Sequence, residues 1–236
     1  MFKHVYYENL IESNLKRIDN DGPRYYIDDA GNRYTSVTSF LSTITDNSGI
    51  ENWRRAVGEE AANFTSKLAT AKGTRLHKAA ELFLNNYVNH ESVLKTYADK
   101  FDWKIMKPKL VEHIDNIVCQ EFMLCSKKLG LAGTVDCIAD FNGRLSVIDF
   151  KTSSSDKSKD DIENYFLQCA CYAFMMFEQY GITIKNIAIF MVVNQAHVLL
   201  FEEPTTKWIK KLLEIKMAKT KQIIQQISLI NQDSVS

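Results

Sequence analysis

The side chains best suited to chemistry are two aspartates and a lysine in two successive strand-like segments. Asp136 and Asp149 lie on either side of Asn142-Gly143, a dipeptide typical of a tight β-hairpin turn. Adjacent strands can bring both carboxylates to one edge of a sheet, where they repel each other unless a hard divalent cation lies between them. Lys151 follows Asp149 by two residues and so projects from the same strand face. The combination predicts a metal-dependent site that hydrolyses phosphodiester bonds.

The Asp-x-Lys spacing is weak by itself, because Asp102-Trp103-Lys104 has the same spacing in a helix-like stretch. Asp149 differs because strand-forming residues surround it, so that a charged pair ends a strand expected to be buried. Buried charges are costly unless they are paired or bind a metal. The alternative is a structural ion pair of Lys151 with Asp149 or with Asp136, without a catalytic role.

The hairpin sequence resembles the signature of the PD-(D/E)XK nuclease superfamily. Gly133-Thr-Val-Asp136 corresponds to its upstream aspartate, and Ile148-Asp-Phe-Lys-Thr152 to its closing motif. The upstream motif reads Val-Asp where the superfamily name has Pro-Asp, a departure that the superfamily tolerates.

Two further motifs resemble the RecB-like branch of this superfamily: Gly73-Thr-Arg-Leu-His77 upstream and Gln168-Cys-Ala-Cys-Tyr172 downstream. The segment Tyr34–Leu41, followed by Trp53-Arg-Arg55, is similar to the N-terminal part of mitochondrial genome maintenance exonucleases and their phage relatives. The resemblance therefore extends over most of the chain.

The resemblance implies one or two Mg²⁺ or Mn²⁺ ions, held by groups from several motifs: His77, Glu121, Asp136, Asp149 and the backbone carbonyl of Phe150. It also implies that Lys151 positions the attacking water, and that Gln168 and Tyr172 lie near the scissile phosphate. Glu81 follows His77 by one helical turn and would orient the imidazole through the ring nitrogen that does not bind the metal. For the histidine and for the Gln-Tyr pair, the alternative is ordinary helix packing.

Glu121 is expected on a helix that precedes the hairpin, where it either approaches the metal or forms a salt bridge with Lys127 or Lys128. Contacts with DNA are expected from a basic set on two helical stretches and from hydroxyl groups: Arg54, Arg55, Lys72, Arg75, Thr152, Ser36 and Thr38. The alternatives are solvated helix faces for the basic residues and a simple helix cap for Ser36 and Thr38.

Composition limits the other possibilities. The 236 residues carry 29 basic and 29 acidic side chains, so a nucleic-acid-binding protein would need a basic groove set apart from acidic surfaces. Five cysteines without a Cys-x-x-Cys pair argue against zinc, and the four-cysteine spacing of iron–sulfur relatives is missing, so neither cofactor is expected. The N-terminus resembles no secretory or mitochondrial leader, and no apolar run could span a membrane. A cytoplasmic protein is expected, in the host cell if a phage encodes it.

Periodicity predicts an α/β fold with a mixed central sheet flanked by helices. We expect one domain over residues 1–236, in which a mostly helical region at 36–128 covers a sheet–helix core at 129–228. Strands are predicted at Arg24–Ile27, Asn32–Tyr34, Leu131–Phe141, Arg144–Phe150, Ile184–Val193 and His197–Phe201. Helices are predicted around Leu110–Leu124, Asp160–Tyr180 and Thr205–Ile227, with Gly181 ending the second.

The resemblance implies a DNA exonuclease that acts on single-stranded ends and works with replication or recombination proteins. An endonuclease of the same chemistry is the first alternative. The second is a nucleic-acid-binding module without catalysis, which is disfavoured because a competent residue fills every catalytic position.

Overall fold

A mixed sheet with helices on both faces forms the protein in the computed structural model, which describes residues 1–19 and 22–233. The strands are β1 (Leu15–Ile18), β2 (Tyr25–Asp28), β3 (Arg33–Ser36), β4 (Ile114–Ser126), β5 (Leu131–Phe141), β6 (Arg144–Ser153), β7 (Asn186–Val193) and β8 (His197–Pro204). The helices are α1 (Val37–Ser42), α2 (Ser48–Val57), α3 (Glu59–Leu84), α4 (Tyr97–His113), α5 (Glu163–Tyr180) and α6 (Thr205–Asp233). The predicted fold class is confirmed.

The strands follow the order β1-β2-β3-β5-β6-β7-β8, and β4 pairs with β5 from the other side. The β3–β5 and β6–β7 pairs are parallel, whereas the other pairs are antiparallel. The predicted β5–β6 hairpin is present, with Asn142 and Gly143 both at positive φ as a tight hairpin turn requires.

The sheet forks at β5. On the side away from β4, β5 pairs with β3 only at Leu131 and Ala132, and with β6 only from Cys137 onward. Within the described residues, the segment 133–136 therefore has no strand partner on that side. A crevice opens there, in the middle of an otherwise continuous sheet.

Two hydrophobic clusters cover opposite faces of the sheet. One joins α1, α5 and α6 to the sheet through buried residues such as Phe40, Phe166 and Trp208. The other joins α3 and α4 to the opposite face through Leu76 and Trp103, among others. The result is a three-layer α/β/α arrangement, in which helices from both sides can reach the crevice.

Two buried ion pairs fix α3 against α4. Arg75 donates two hydrogen bonds, of 2.7 and 2.9 Å, to the fully buried carboxylate of Asp99. One turn earlier on α3, Lys72 pairs with Asp102, which is also fully buried. Asp99 additionally completes the capping box of α4 with Thr96. Because both pairs flank Gly73, they set the position of the α3 turn that carries His77.

One predicted element is wrong. The expected helix around Leu110–Leu124 does not exist, because α4 ends at His113 and the chain continues directly as β4. The region 36–128 is accordingly helical only in its first part. Strand β1 was not expected from the sequence. Among the described residues, none of the helices combines the length and the apolar character needed to cross a bilayer.

Candidate metal centre and catalytic residues

Three acidic residues lie side by side on β4, β5 and β6. The β4–β5 register pairs Gln120 with Cys137 and Phe122 with Val135, which places Glu121 opposite Asp136. The β5–β6 ladder ends at Cys137 and Ile148, and its next step would place Asp149 opposite Asp136. Two independent registers thus bring Glu121, Asp136 and Asp149 to one row across the forked sheet, as the sequence predicts for the two aspartates.

The β5–β6 backbone pairing ends before Asp136, and the Asp136 side chain makes a hydrogen bond to β6 instead. Its Oδ2 accepts a hydrogen bond of 2.9 Å from the backbone N–H of Phe150. The same oxygen lies 3.5 Å from Nδ1 of His77, a residue of helix α3. One ligand atom each of His77, Glu121 and Asp136 lies within 4.8 Å of the others, a spacing that suits a shared cation.

Glu121 reaches this group through an irregular backbone. Its φ of 46° lies in the left-handed region, which is uncommon for a residue with a side chain and costs on the order of 1 kcal/mol or more. Such irregularities in a strand re-aim a side chain. Although Glu121 is exposed overall, desolvation inside the cavity and the neighbouring carboxylates of Asp136 and Glu81 raise its pKa to about 7, against the effect of Lys78. The prediction that Glu121 lies on a helix is therefore wrong, but its proximity to Asp136 stands.

The imidazole of His77 is held in its neutral form. Burial lowers the pKa of its imidazole, and so does Lys151, whereas Asp136 and a hydrogen bond with the Phe150 backbone raise it; the net shift is downward. A neutral imidazole has a free lone pair for a cation. Glu81, predicted to orient His77, instead pairs with Lys78 at 2.7 Å and lies in the same cavity.

Asp149 belongs to a second, more deeply buried group. Its side chain is 2% exposed, and it contacts the Lys151 ammonium at 2.5 Å. Gln168 on α5 donates a hydrogen bond of 3.0 Å from its amide to the other oxygen of Asp149. Burial and Asp136 raise the pKa of Asp149, while Lys151 opposes this shift. Asp149 is thus oriented by two partners beside the cluster of His77, Glu121 and Asp136.

Lys151 remains a cation in this environment. Burial alone would lower its pKa, but the carboxylates of Asp149 and Asp136 outweigh burial and raise it above the ordinary value. Its Nζ also lies 4.9 Å from the centre of the Tyr165 ring, in cation–π contact. An ammonium held between a carboxylate and a ring face can orient a water or a phosphate oxygen, whereas it is a poor proton acceptor.

Tyr172 packs against the floor of the crevice. It is 3% exposed, and burial raises its pKa well above the ordinary value, so the hydroxyl stays protonated. A Cβ added to Gly133 would lie 2.8 Å from the Tyr172 hydroxyl oxygen and 3.0 Å from the ring. Only glycine at position 133 lets α5 approach β5 this closely. Gly133 therefore helps to place both Tyr172 and Gln168.

Except for the buried Asp149, these groups line one cavity of about 900 Å³. Besides His77, Glu121, Asp136, Lys151, Gln168 and Tyr172, its lining includes the predicted Ser36 and Thr38. It also includes residues that belong to no recognised sequence motif: Arg17, Arg24, Asn164 and Tyr165. Thr152 lies behind this lining, with its hydroxyl oxygen 3.6 Å from the position of a Cβ on Gly73.

The four basic residues expected to contact DNA lie outside the cavity lining. Arg54 pairs with Glu59 and Arg55 with Glu51, both on exposed helix surfaces. Lys72 and Arg75 are engaged by the buried carboxylates of α4, so their charges are neutralised within the fold. The structure thus brings together the motif residues but not this basic set.

Comparison with known proteins identifies one family. Residues 50–229 match the family model of the PD-(D/E)XK nuclease superfamily. A search of curated protein sequences finds no match. The crystal structure of a candidate exonuclease from Eubacterium rectale is similar at a TM-score of 0.45 and 13% identity; the match covers 66% of each chain, just under two thirds of that protein. The structure of the protein SSO0001 is similar at a TM-score of 0.29 and 16% identity, over 61% of this chain and 73% of that one.

The family match decides the assignment, because it covers well over half of the chain. The protein belongs to the PD-(D/E)XK nuclease superfamily.

Proposed function

We propose that the protein is a metal-dependent DNA exonuclease that removes nucleotides from single-stranded ends. The observation that carries the proposal is the convergence of His77, Glu121 and Asp136 within 4.8 Å, next to the buried Asp149–Lys151 pair. A structural ion pair alone would not require the two additional acids and the neutral histidine at the wall of an accessible cavity.

The donor set fits Mg²⁺ or Mn²⁺. Two carboxylates and one imidazole offer hard oxygen and borderline nitrogen ligands. The two carboxylates repel each other, and this repulsion adds to the larger effect of burial in raising the pKa of Glu121. A divalent cation would relieve this repulsion. Asp149 and the carbonyl of Phe150 would complete the set as proposed ligands. When bound, the cation supplies Lewis-acid polarisation of the scissile phosphate and neutralises charge that develops on it.

The chain's own residues would then position the reaction. The Lys151 ammonium would orient the attacking water in line with the leaving oxygen and offset negative charge on the phosphate. Gln168 would keep the Asp149 carboxylate turned toward the site through its amide hydrogen bond. Tyr172 would exclude water from the floor of the crevice and offer its protonated hydroxyl to a phosphate oxygen.

The first test is cleavage of end-labelled single-stranded and double-stranded DNA with Mg²⁺, Mn²⁺ or EDTA. We expect cleavage that requires the cation and is lost in Asp136→Asn. Calorimetric titration with Mn²⁺ should show weaker binding to Asp136→Asn than to the wild type. Unchanged Mn²⁺ affinity would contradict the assignment of the metal centre.

A second test addresses the need for a free end. A closed circular single strand and its linearised form have the same sequence and charge, so only the ends differ. We expect degradation of the linear form and survival of the circle. Equal cleavage of both would identify an endonuclease of the same chemistry, and binding without cleavage would identify a non-catalytic module.

A further inference from the structure

Two arginines from the N-terminal strands reach the same cavity as the catalytic groups. Arg17 lies on β1, and Arg24 lies just before β2. The backbone carbonyl of Arg24 accepts a hydrogen bond of 3.0 Å from the N–H of Ser36, another residue of the cavity lining. The β1–β3 extension of the sheet thus delivers two guanidinium groups to the cavity that holds His77 and Asp136.

The two guanidinium groups share one counterion. Arg17 and Arg24 contact the two oxygens of the Asp19 carboxylate at 2.7 and 2.5 Å, and all three side chains are 38–50% exposed. Each guanidinium has five N–H donors, and within the described residues its hydrogen bond to Asp19 uses only the Nε–H. Counted over these three side chains, the group has one net positive charge. Exposed ion pairs of this kind contribute little to stability. An incoming anion can therefore bind to the free donors at small cost.

We propose that Arg17 and Arg24 bind a backbone phosphate of the nucleic acid that neighbours the scissile phosphate, and so act as binding residues for the substrate strand. This proposal rests on the proposed nuclease function. Inside the cavity, Arg17 and Arg24 would supply the substrate contacts. The basic residues that the sequence predicts to contact DNA lie outside the cavity lining: Arg54, Arg55, Lys72 and Arg75.

The charge pattern of the cavity supports this assignment. The wall formed by β4–β6 and α3 carries three carboxylates beside the ammonium groups of Lys78 and Lys151, which suits a cation and the phosphate bound to it. The wall formed by β1–β3 carries the two arginines. A strand with regularly spaced phosphates can place one phosphate at the cation and another at the arginines. Guanidinium forks suit phosphate oxygens in particular.

The decisive experiment compares two substrates that differ in whether they have a second phosphate. Bis(p-nitrophenyl) phosphate contains only the diester to be cleaved, whereas a single-stranded oligonucleotide contains many phosphates. We expect the double variant Arg17→Gln/Arg24→Gln to raise KM for the oligonucleotide by about tenfold or more, with little change in kcat. Its hydrolysis of the small diester should match that of the wild type.

Binding provides a readout that does not depend on cleavage. Anisotropy titrations of a fluorescent oligonucleotide, with Ca²⁺ in place of Mg²⁺, should show weaker binding of the double variant. Its slope of log K against log salt should be smaller by about 0.7, the value for one phosphate contact on a single strand. The matched control is Arg33→Gln, because Arg33 belongs to the same strands but stacks on Tyr25 at 3.6 Å outside the cavity lining.

The outcomes separate this proposal from the proposed function. Wild-type cleavage of both substrates with an unaffected double variant would overturn the role of the arginines and leave the nuclease intact. An equal loss on both substrates would also overturn it, because the arginines would then act on the chemistry or the fold. A wild type that cleaves neither substrate would reject the nuclease function, while the Ca²⁺ titration would still test the arginines.

Discussion

The amide of Gln168 holds the carboxylate of Asp149 at 3.0 Å, so a residue on α5 sets the orientation of an acid on β6. Replacing Gln168 with Leu should leave α5 folded, because the site is half-buried and leucine is a good helix former. We expect kcat to fall by about 10–100-fold, the usual cost of losing a residue that orients a metal-site ligand.

Single-turnover cleavage measures this effect, and Gln179→Leu serves as its control. Gln179 lies on the same helix but contacts Ser13 and the backbone of Cys125 instead of the site. An equal loss of kcat in both variants would show that helix packing, and not the orientation of Asp149, explains the result.

Lys151→Met should strongly reduce cleavage while it leaves DNA affinity within a few-fold of the wild type. The ammonium offsets phosphate charge mainly in the transition state, so kcat should fall by about 10²–10³-fold. The variant also leaves Asp149 buried without its cation, which typically costs about 3–5 kcal/mol of stability.

The double variant Asp149→Asn/Lys151→Met separates the two effects. Removing both charges should recover much of the stability in urea denaturation, but no activity. Recovered activity in the double variant, or normal activity in Lys151→Met, would refute the assigned role of the lysine.

Gly133→Ala and Gly73→Ala should have opposite effects on stability. At position 133 the new methyl group would collide with the buried Tyr172 ring, and we expect a loss of about 1–3 kcal/mol together with reduced activity. At position 73, in the middle of α3, the nearest atom would be Thr152 Oγ1 at 3.6 Å, an ordinary contact. Alanine there should stabilise the protein by up to about 1 kcal/mol. Thermal unfolding of the two variants tests this pair, and a stable Gly133→Ala would contradict the close packing described for the crevice.

Asp99→Asn should destabilise the protein in a pH-dependent manner. Burial alone would raise the pKa of Asp99, but hydrogen bonds from Arg75, Thr96 and Lys95 outweigh it and hold the pKa well below 3.8. A lowered folded-state pKa stabilises the fold above the unfolded-state pKa, and this contribution is lost as the pH falls toward the folded-state value. We expect a cost of about 3 kcal/mol at pH 7 that shrinks below about pH 4.

Urea denaturation of the wild type and of Asp99→Asn, at pH 7 and at pH 3, measures this difference in the free energy of unfolding. Glu59→Gln is the control, because Glu59 pairs with Arg54 on an exposed surface and should matter little. A difference that stays constant between pH 7 and pH 3 would show that the carboxylate charge is not the source of the stability.

The motif residues were predictable because short-range patterns specify them. Asn142-Gly143 fixes the β5–β6 turn, and a tight turn fixes the register that aligns Asp136 with Asp149. Helical spacing likewise predicts that Gln168 and Tyr172 share one side of α5. The remaining contacts come from elements that are distant in sequence, and no local pattern indicates that Arg17 or Arg24 enters the cavity.

Strand β4 shows why one element was mistaken for a helix. Leu110, Ile114, Ile117 and Val118 follow the spacing of a helix face, although the chain is extended from Ile114 onward. The register of β4 shifts between Asp115 and Cys119, and Asn116 and Glu121 both adopt positive φ. These irregularities disturb the two-residue alternation that would otherwise mark a strand. The same irregularity at Glu121 belongs to the candidate metal centre.

The three layers of the fold each contribute to one small site. His77 comes from a helix on one face of the sheet, Gln168 comes from a helix on the other, and the acids come from the strands between them. Partial unfolding of either helical layer would therefore move the proposed site residues apart before the strands of the sheet separate. Catalysis in this protein should act as an early reporter of partial unfolding, more sensitive to mild denaturant than the sheet that supports it.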